Sequence, residues 1–110
     1  MRYKKNVGDL GEEFASRMLE LSGFQIIARN YSTKFGELDI IALRGGVIHF
    51  IEVKTRTGLD CGYPSESVTH YKQEKIKKAA RCYLSSRRHQ WKEVSFDVYE
   101  VLTELIEDCM

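Results

Sequence analysis

Three residues, Asp39, Glu52 and Lys54, have the types and spacing that could do chemistry in this sequence. They lie in two apolar runs rich in β-branched residues, and the pair Gly45-Gly46 separates the runs. Such a pair predicts a two-residue hairpin turn, because primed turns require positive φ at both central residues. Residues equally distant from the turn then face each other, so Asp39 is expected opposite Glu52, and Glu37 opposite Lys54. Directly opposed Cβ atoms lie about 4.5–5.5 Å apart.

Two opposed carboxylates in apolar surroundings repel each other, and a positive charge must balance them. Mg²⁺ (or Mn²⁺) suits the Asp39/Glu52 pair, since it takes oxygen ligands and keeps several waters. It would polarise a phosphoryl oxygen and lower the pKa of a bound water. Lys54, on the same strand face as Glu52, could position that water or stabilise developing negative charge. The alternative is a structural ion cluster at the strand ends, with Glu37 and Lys54 as ordinary cross-strand partners.

A third acid, Glu12, belongs to the first predicted helix. On a helical wheel it lies on the stripe Gly8-Glu12-Ala15-Leu19, away from the polar residues of that helix. Small residues on this stripe would let the helix approach another element closely and bring an acid with it. The alternative is a surface glutamate favoured by the helix macrodipole, a description that Glu13 fits better. The residues alone leave both interpretations of Glu12 open.

Lysines and arginines of the second half of the chain offer candidate contacts to phosphate. Lys72 interrupts the apolar stripe of the second predicted helix, and it is either a lysine at the margin of the buried face or a cation that points at the site. Lys75 and further basic residues of this helix form a solvated face that could also follow a phosphate backbone. Lys72, Lys75 and Arg56 are the predicted nucleic-acid contacts.

The elements that must position these residues follow the order αβββαβ. The first helix carries one apolar stripe, Val7, Leu10, Phe14, Met18 and Leu21. In the hairpin, Leu38, Ile40 and Ala42 are expected on one face, and Ile41 and Leu43 with Ile48 and Phe50 on the other. A strand that is apolar on both faces is covered on both sides, and a strand–helix–strand succession predicts a right-handed parallel crossover. The predicted helices span residues 6–22 and about 66–88; the predicted strands span 24–31, 36–43, 47–54 and 94–102, with a loop over 57–65.

Length and composition limit the kinds of protein that this sequence can encode. The 110 residues predict a single domain over 1–110, large enough for a hydrophobic core. No run reaches the roughly 18–20 apolar residues of a membrane span, and three widely spaced cysteines fit a reducing, cytoplasmic compartment. The chain has 17 basic and 16 acidic residues. No basic residue follows Lys92, which leaves a mildly basic body and a probable acidic tail over 103–110; this allows a nucleic-acid partner.

The motifs together resemble a known family. They are the run Gly11-Glu12-x-x-Ala15, the run Gly36-Glu37-Leu38-Asp39-Ile40-Ile41-Ala42 and the run Phe50-Ile51-Glu52-Val53-Lys54-Thr55-Arg56. The combination is similar to the YraN family of small bacterial proteins over roughly residues 7–101. That family is similar to archaeal Holliday-junction resolvases and to the PD-(D/E)xK nuclease-like superfamily, whose restriction-endonuclease-like core has the order αβββαβ.

The resemblance implies roles for particular residues. Asp39 and Glu52 would be metal ligands, Glu12 would be the acid of the first helix that helps to hold the metal, and Lys54 would be the catalytic lysine. The proline of the superfamily motif is absent, since Glu37-Leu38 precede Asp39, and Ser95 stands where relatives often carry a basic residue.

Two functions from different classes follow as expectations. The first is a Mg²⁺-dependent endonuclease that hydrolyses phosphodiesters in DNA, including branched or otherwise structured DNA, and a homodimer is plausible for an enzyme of the resolvase kind. The second is a non-catalytic module that binds nucleic acid or a partner protein and retains the nuclease fold.

Overall fold

The computed structural model describes residues 7–57, 69–87 and 91–103, and the order of elements in it is the predicted αβββαβ. Each boundary of the first helix and of the four strands lies within three residues of its predicted position. The elements are α1 (Val7–Leu21), β1 (Gln25–Thr33), β2 (Gly36–Arg44), β3 (Val47–Thr57), α2 (His70–Ser85) and β4 (Glu93–Thr103).

The four strands form one mixed sheet in the order β1-β2-β3-β4. β1, β2 and β3 are antiparallel neighbours, whereas β4 lies parallel to β3, which confirms the parallel pairing predicted after the second helix. The turn between β2 and β3 is the Gly45-Gly46 pair, and both glycines have positive φ, 60° and 78°. The ladder from Arg44↔Val47 to Ile40↔Ile51 has the predicted register.

The helices cover opposite faces of the sheet, and each builds its own core. α2 packs through Ala79, Ala80 and Tyr83 onto a core that includes Phe50. α1 packs through Ala15 and Leu19 onto the other face. This fold is compatible with a restriction-endonuclease-like core.

The apolar stripe of α1 does not face the core. Leu10, Phe14, Met18 and Leu21 are all exposed, whereas Ala15 and Leu19 are buried. The physical reason is that small residues on the second stripe allow a closer approach of the helix to the sheet. A Cβ added at Gly11 would lie 1.8 Å from Oγ1 of Thr55 on β3, so only a glycine permits the observed separation.

One hairpin residue also lies on the face opposite to the one predicted. Leu38 packs in the core under α2, whereas Ile40 and Ala42 pack under α1. β2 therefore changes face between Leu38 and Ile40, at Asp39. The paired strand changes face at the same level, where Asn30 has a left-handed backbone with φ of 51°. Strict alternation cannot hold through such a residue, which explains why the period-2 pattern failed here.

Some predictions fall at the margins of the described residues. α2 begins at His70 with Thr69 as N-cap, four residues later than predicted at about 66; residues 66–68 and the body of the predicted 57–65 loop lie outside the described part. Thr103, predicted to begin the acidic tail, instead ends β4, and residues 104–110 are likewise outside. No helix among the described residues is long and apolar enough to cross a membrane.

Candidate functional site

The carboxylate of Asp39 lies where the ladder between β2 and β3 ends. The last regular pair is Ile40↔Ile51. One step further, Oδ2 of Asp39 accepts a hydrogen bond from the backbone N–H of Val53 at 2.8 Å. The carboxylate thus replaces the backbone carbonyl of β2 that would accept this bond if the ladder continued. The bond holds the side chain of Asp39 against β3, beside Glu52.

This geometry corrects the predicted cross-strand pairs. The side chains of Asp39 and Glu52 do lie close together, as predicted, but the two residues are not a cross-strand pair, because the β2–β3 ladder ends at Ile40↔Ile51. Glu37 does not pair with Lys54 in the ladder; it is paired with Ser32 of β1, whose hydroxyl donates to its carboxylate at 3.5 Å. β2 has separated from β3 at this level because of the change of face at Asp39.

Glu12 reaches the same cluster from the opposite side of the sheet. The close contact of α1 with β3 at Gly11 and Thr55 sets its position. The pKa of Glu12 is raised from 4.5 to about 7, first by burial, then by repulsion from Asp39 and by the hydrogen bond that the protonated acid donates to Asp39. Arg29 of β1 attracts the ionised form and offsets part of this rise.

Glu52 has a raised pKa for the same reasons as Glu12, and it lies on the face of the sheet that α2 covers. Its pKa is raised from 4.5 to about 7, first by burial, then by repulsion from Asp39 and by a hydrogen bond to it, with a smaller contribution from Glu12. Lys72 attracts the ionised form and lowers the pKa in part. The predicted acids therefore form one electrostatic cluster with Asp39 as the shared neighbour.

The cluster is open rather than a closed set of ligands. Among residues 7–57, 69–87 and 91–103, no three carboxylate, imidazole or thiolate side chains are grouped closely enough to surround one ion. Mg²⁺ needs only one or two carboxylates and keeps its remaining waters, so Asp39 and Glu52 fit it as direct ligands. Glu12, which lies beside Asp39, would add a third acid to such a site. A divalent cation would replace the protons that crowding makes these acids retain.

A cleft opens beside Glu52 between the β1–β2 turn and α2. Its volume is about 160 Å³, and it combines acidic, basic and apolar walls. Lys72 and Lys75 both line it, and Lys72 is exposed in the first turn of α2. Lys72 therefore lies at the cleft beside Glu52, and its contact with phosphate stays a prediction. The lining residues are Phe35, Gly36, Glu37, Glu52, Lys72, Lys75, Ile76 and Ala79.

The two other predicted cations differ in their surroundings. Lys54 is half-buried, alternation along β3 places it on the face of Glu52, and it forms no ion pair with another described residue. Nε of Arg56 lies 2.6 Å from Oε1 of Glu100 on β4, with its side chain only 14% exposed. Since Glu100 balances its charge, Arg56 is less accessible to a phosphate than Lys72 or Lys75.

Two residues near the site were not predicted from the sequence. Arg29 influences Glu12 because it lies on β1 opposite Ile40, and Phe35 lines the cleft from the β1–β2 turn. The pairing of β1 with β2 could have suggested Arg29, but the β-bulge between Ile26 and Ala28 hides the register.

The fold and the site define a small α/β protein with an acidic cluster at the end of a central hairpin and, beside it, a cleft lined by both lysines and glutamates. The chain belongs to the uncharacterised protein family UPF0102, whose model matches residues 11–101, which confirms the YraN-like family assignment.

Relatives from distant bacteria share most of the chain. A UPF0102 protein of Dictyoglomus turgidum is 45% identical over 98 residues, covering 89% of this chain and 83% of its own length. One from Caldanaerobacter subterraneus is 44% identical over 98 residues, covering 89% and 80%. One from Chlorobaculum tepidum is 46% identical over 102 residues, covering 93% and 79%.

Proposed function

We propose that this chain is a divalent-metal-dependent nuclease of the PD-(D/E)xK kind that hydrolyses phosphodiesters in DNA. The observation that carries the proposal is the cluster of Glu12, Asp39 and Glu52, in which both glutamates retain protons near neutral pH because of burial and Asp39. A purely structural role would not require three mutually repelling acids at the end of a buried ladder. Branched or otherwise structured DNA is the substrate class that the resemblance to resolvases favours.

The residues of the cluster have distinct roles in this proposal. Asp39 and Glu52 would hold Mg²⁺ or Mn²⁺ with help from Glu12, and the ion would supply Lewis-acid polarisation and a water of lowered pKa. Lys54, which has no ion pair with another described residue, stabilises negative charge that develops on the phosphoryl oxygens.

The lysines of the cleft position the nucleic acid. Lys72 and Lys75 lie on α2 beside Glu52 and bind the phosphates that flank the scissile bond. A lysine in the first turn of a helix opposes the macrodipole, and a bound phosphate offsets that cost. We place this activity in the reducing, cytoplasmic compartment that the three widely spaced cysteines of the sequence indicate.

The test is cleavage of defined substrates. Purified protein with Mg²⁺ or Mn²⁺ is expected to cut at least one of a four-way junction, a flap, a duplex and a single strand. The variants Asp39→Asn and Asp39→Ala/Glu52→Ala should not cut. Glu74→Gln is the matched control, because Glu74 is a surface acid on α2 that pairs with Lys77. A wild type that cuts none of these substrates would contradict the proposal, as would cleavage of equal rate by the wild type and the double variant, which would come from a contaminant and leave the chain without activity of its own.

The two lysines at the cleft, Lys72 and Lys75, favour a second candidate, a nucleic-acid-binding module without catalysis. This candidate predicts salt-dependent binding without cleavage, and Asp39→Asn would leave the affinity unchanged.

A further inference from the structure

The turn between β1 and β2 presents an aromatic ring to the cleft beside Glu52. The turn consists of Lys34 and Phe35, and the side chain of Phe35 lines the cleft together with that of Lys72. The ring is half-buried, because it packs against the margin of the core under α2. The roles proposed for the acids and the lysines leave this ring unused.

The position of Phe35 is fixed by contacts that do not involve its ring. Its backbone N–H donates to Oγ1 of Thr33 at 3.1 Å, and the hydroxyl of Thr33 donates to the carbonyl of Gly36 at 2.8 Å. Gly36 has φ of 137°, a conformation that residues with a side chain disfavour. The turn therefore holds an aromatic surface in place at the mouth of the cleft and does not need the ring for its own closure.

The two walls of the cleft suit different parts of a nucleotide. Lys72 and Lys75 of α2 attract phosphate. Glu37 shares the other wall with Phe35 and repels phosphate, so that wall suits an uncharged base better. An aromatic ring gives a base a stacking surface, and the volume of about 160 Å³ is large enough to receive one base.

We propose that Phe35 determines specificity by stacking on the base of an unpaired nucleotide, while Lys72 and Lys75 bind the phosphates next to that base. The inference rests on the proposed binding of DNA at this cleft and narrows the substrate class to DNA with an unpaired nucleotide there. In a duplex, neighbouring bases cover both faces of each base, so a base must leave the helix to stack on Phe35. A single strand or a flap presents its bases without that cost.

Lys34 does not prevent a base from stacking on the ring. Its Nζ lies 5.2 Å from the centroid of the Phe35 ring, but Lys34 is exposed, and a cation–π contact of an exposed lysine is weaker than the stacking of a base on an aromatic ring. A base therefore displaces the lysine, whose charge then lies near the phosphates of the strand.

The test is DNA binding in EDTA, where a metal-dependent cleavage cannot interfere. Fluorescence anisotropy compares a single strand, a duplex of the same sequence, and a strand of the same length built from abasic residues, which keeps the phosphates but has no bases. The wild type is expected to bind the base-bearing strand about 5-fold or more tightly than the abasic strand. Phe35→Leu should lose most of this difference, because leucine packs but cannot stack, and Phe35→Tyr should keep it. Both variants should bind the duplex as the wild type does.

Phe96→Leu is the matched control. Phe96 is also a partly exposed phenylalanine, at 45%, and its ring stacks on Phe50 of the core under α2, but it is not among the residues that line the cleft. This variant should bind all three probes as the wild type does. Circular dichroism confirms that each variant is folded.

The outcomes separate the role of Phe35 from the proposed function. A wild type that binds the base-bearing and abasic strands equally would overturn the role of Phe35 alone, and this comparison needs no variant. So would a Phe35→Leu protein that keeps the full difference, or a Phe96→Leu protein that loses as much. A wild type that binds no DNA would overturn both the role of Phe35 and the proposed function. The expected preference in a protein that cuts no substrate would support the role of Phe35 and contradict the nuclease.

Discussion

The backbone N–H of Val53 donates to the carboxylate of Asp39 at 2.8 Å. This bond ends the β2–β3 ladder and fixes the acid between Glu12 of α1 and Glu52 of β3. The cluster therefore depends on three features of the fold: the Gly45-Gly46 turn that sets the register, the change of face at Asp39, and the close approach of α1.

The approach of α1 depends on the absence of a side chain at Gly11. Gly11→Ala would place a Cβ 1.8 Å from Oγ1 of Thr55 and 3.1 Å from its Cβ. We expect a loss of about 1–3 kcal/mol in the free energy of unfolding, measured by urea denaturation. The double variant Gly11→Ala/Thr55→Ala should recover most of it, because the clashing atom is gone and alanine favours the helix. A double variant as unstable as Gly11→Ala would contradict this account.

The change of face depends on the left-handed backbone of Asn30. Asparagine tolerates φ of 51° better than most residues. Asn30→Ala should cost about 1 kcal/mol of stability, whereas Asn30→Gly should be close to neutral. Thermal unfolding of the two variants in parallel measures the difference. Equal stability of the alanine and glycine variants would show that the left-handed conformation does not constrain this position.

The acid cluster makes the stability of the metal-free protein depend on pH. The pKa values of Glu12 and Glu52 are raised from 4.5 to about 7, so the folded state retains protons that the unfolded chain releases. This contribution to stability is fully present below about pH 4.5 and is lost as the pH rises through about 7. Urea denaturation between about pH 4 and 8 should show that decline, and Glu12→Gln/Glu52→Gln should show a weaker one. An identical pH dependence in both proteins would argue against the raised pKa values.

Lys72 should contribute to nucleic-acid binding through its charge alone. Lys72→Ala removes a cation from the cleft and should weaken binding to all sequences while reducing the salt dependence by about one ion. Lys78→Ala is the matched control, since Lys78 is exposed on the same helix but is not among the residues that line the cleft. Fluorescence anisotropy at several salt concentrations compares the two. An equal loss in both variants would place the phosphate track elsewhere on α2.

Local chemistry made the hairpin and its acids predictable. A Gly-Gly turn has few alternatives, and the register follows from it by counting. The order of elements was also predictable, because the spacing of apolar residues distinguishes the helices from the strands along most of the chain. The resemblance to the YraN family rests on these same motifs.

Tertiary packing decided what the sequence could not. The periodicity of α1 identified two candidate stripes but not which one the sheet would accept, and the close contact of Gly11 with Thr55 settled that choice. The position of Leu38 depended on the backbone of Asn30, which no pattern of side chains reveals. The attraction between Arg29 and Glu12 depended in turn on the bulge in β1.

Calorimetric titration of metal-free protein with Mg²⁺ or Mn²⁺ tests the central claim most directly. We predict saturable binding to the wild type near pH 7, with release of protons that Glu12 and Glu52 would otherwise retain, and tighter binding at about pH 8 than at about pH 6. Asp39→Asn should abolish binding, and Glu74→Gln should leave it unchanged. A wild type that binds neither ion, or an Asp39→Asn variant that binds as the wild type does, would contradict the assignment of this cluster as a metal site.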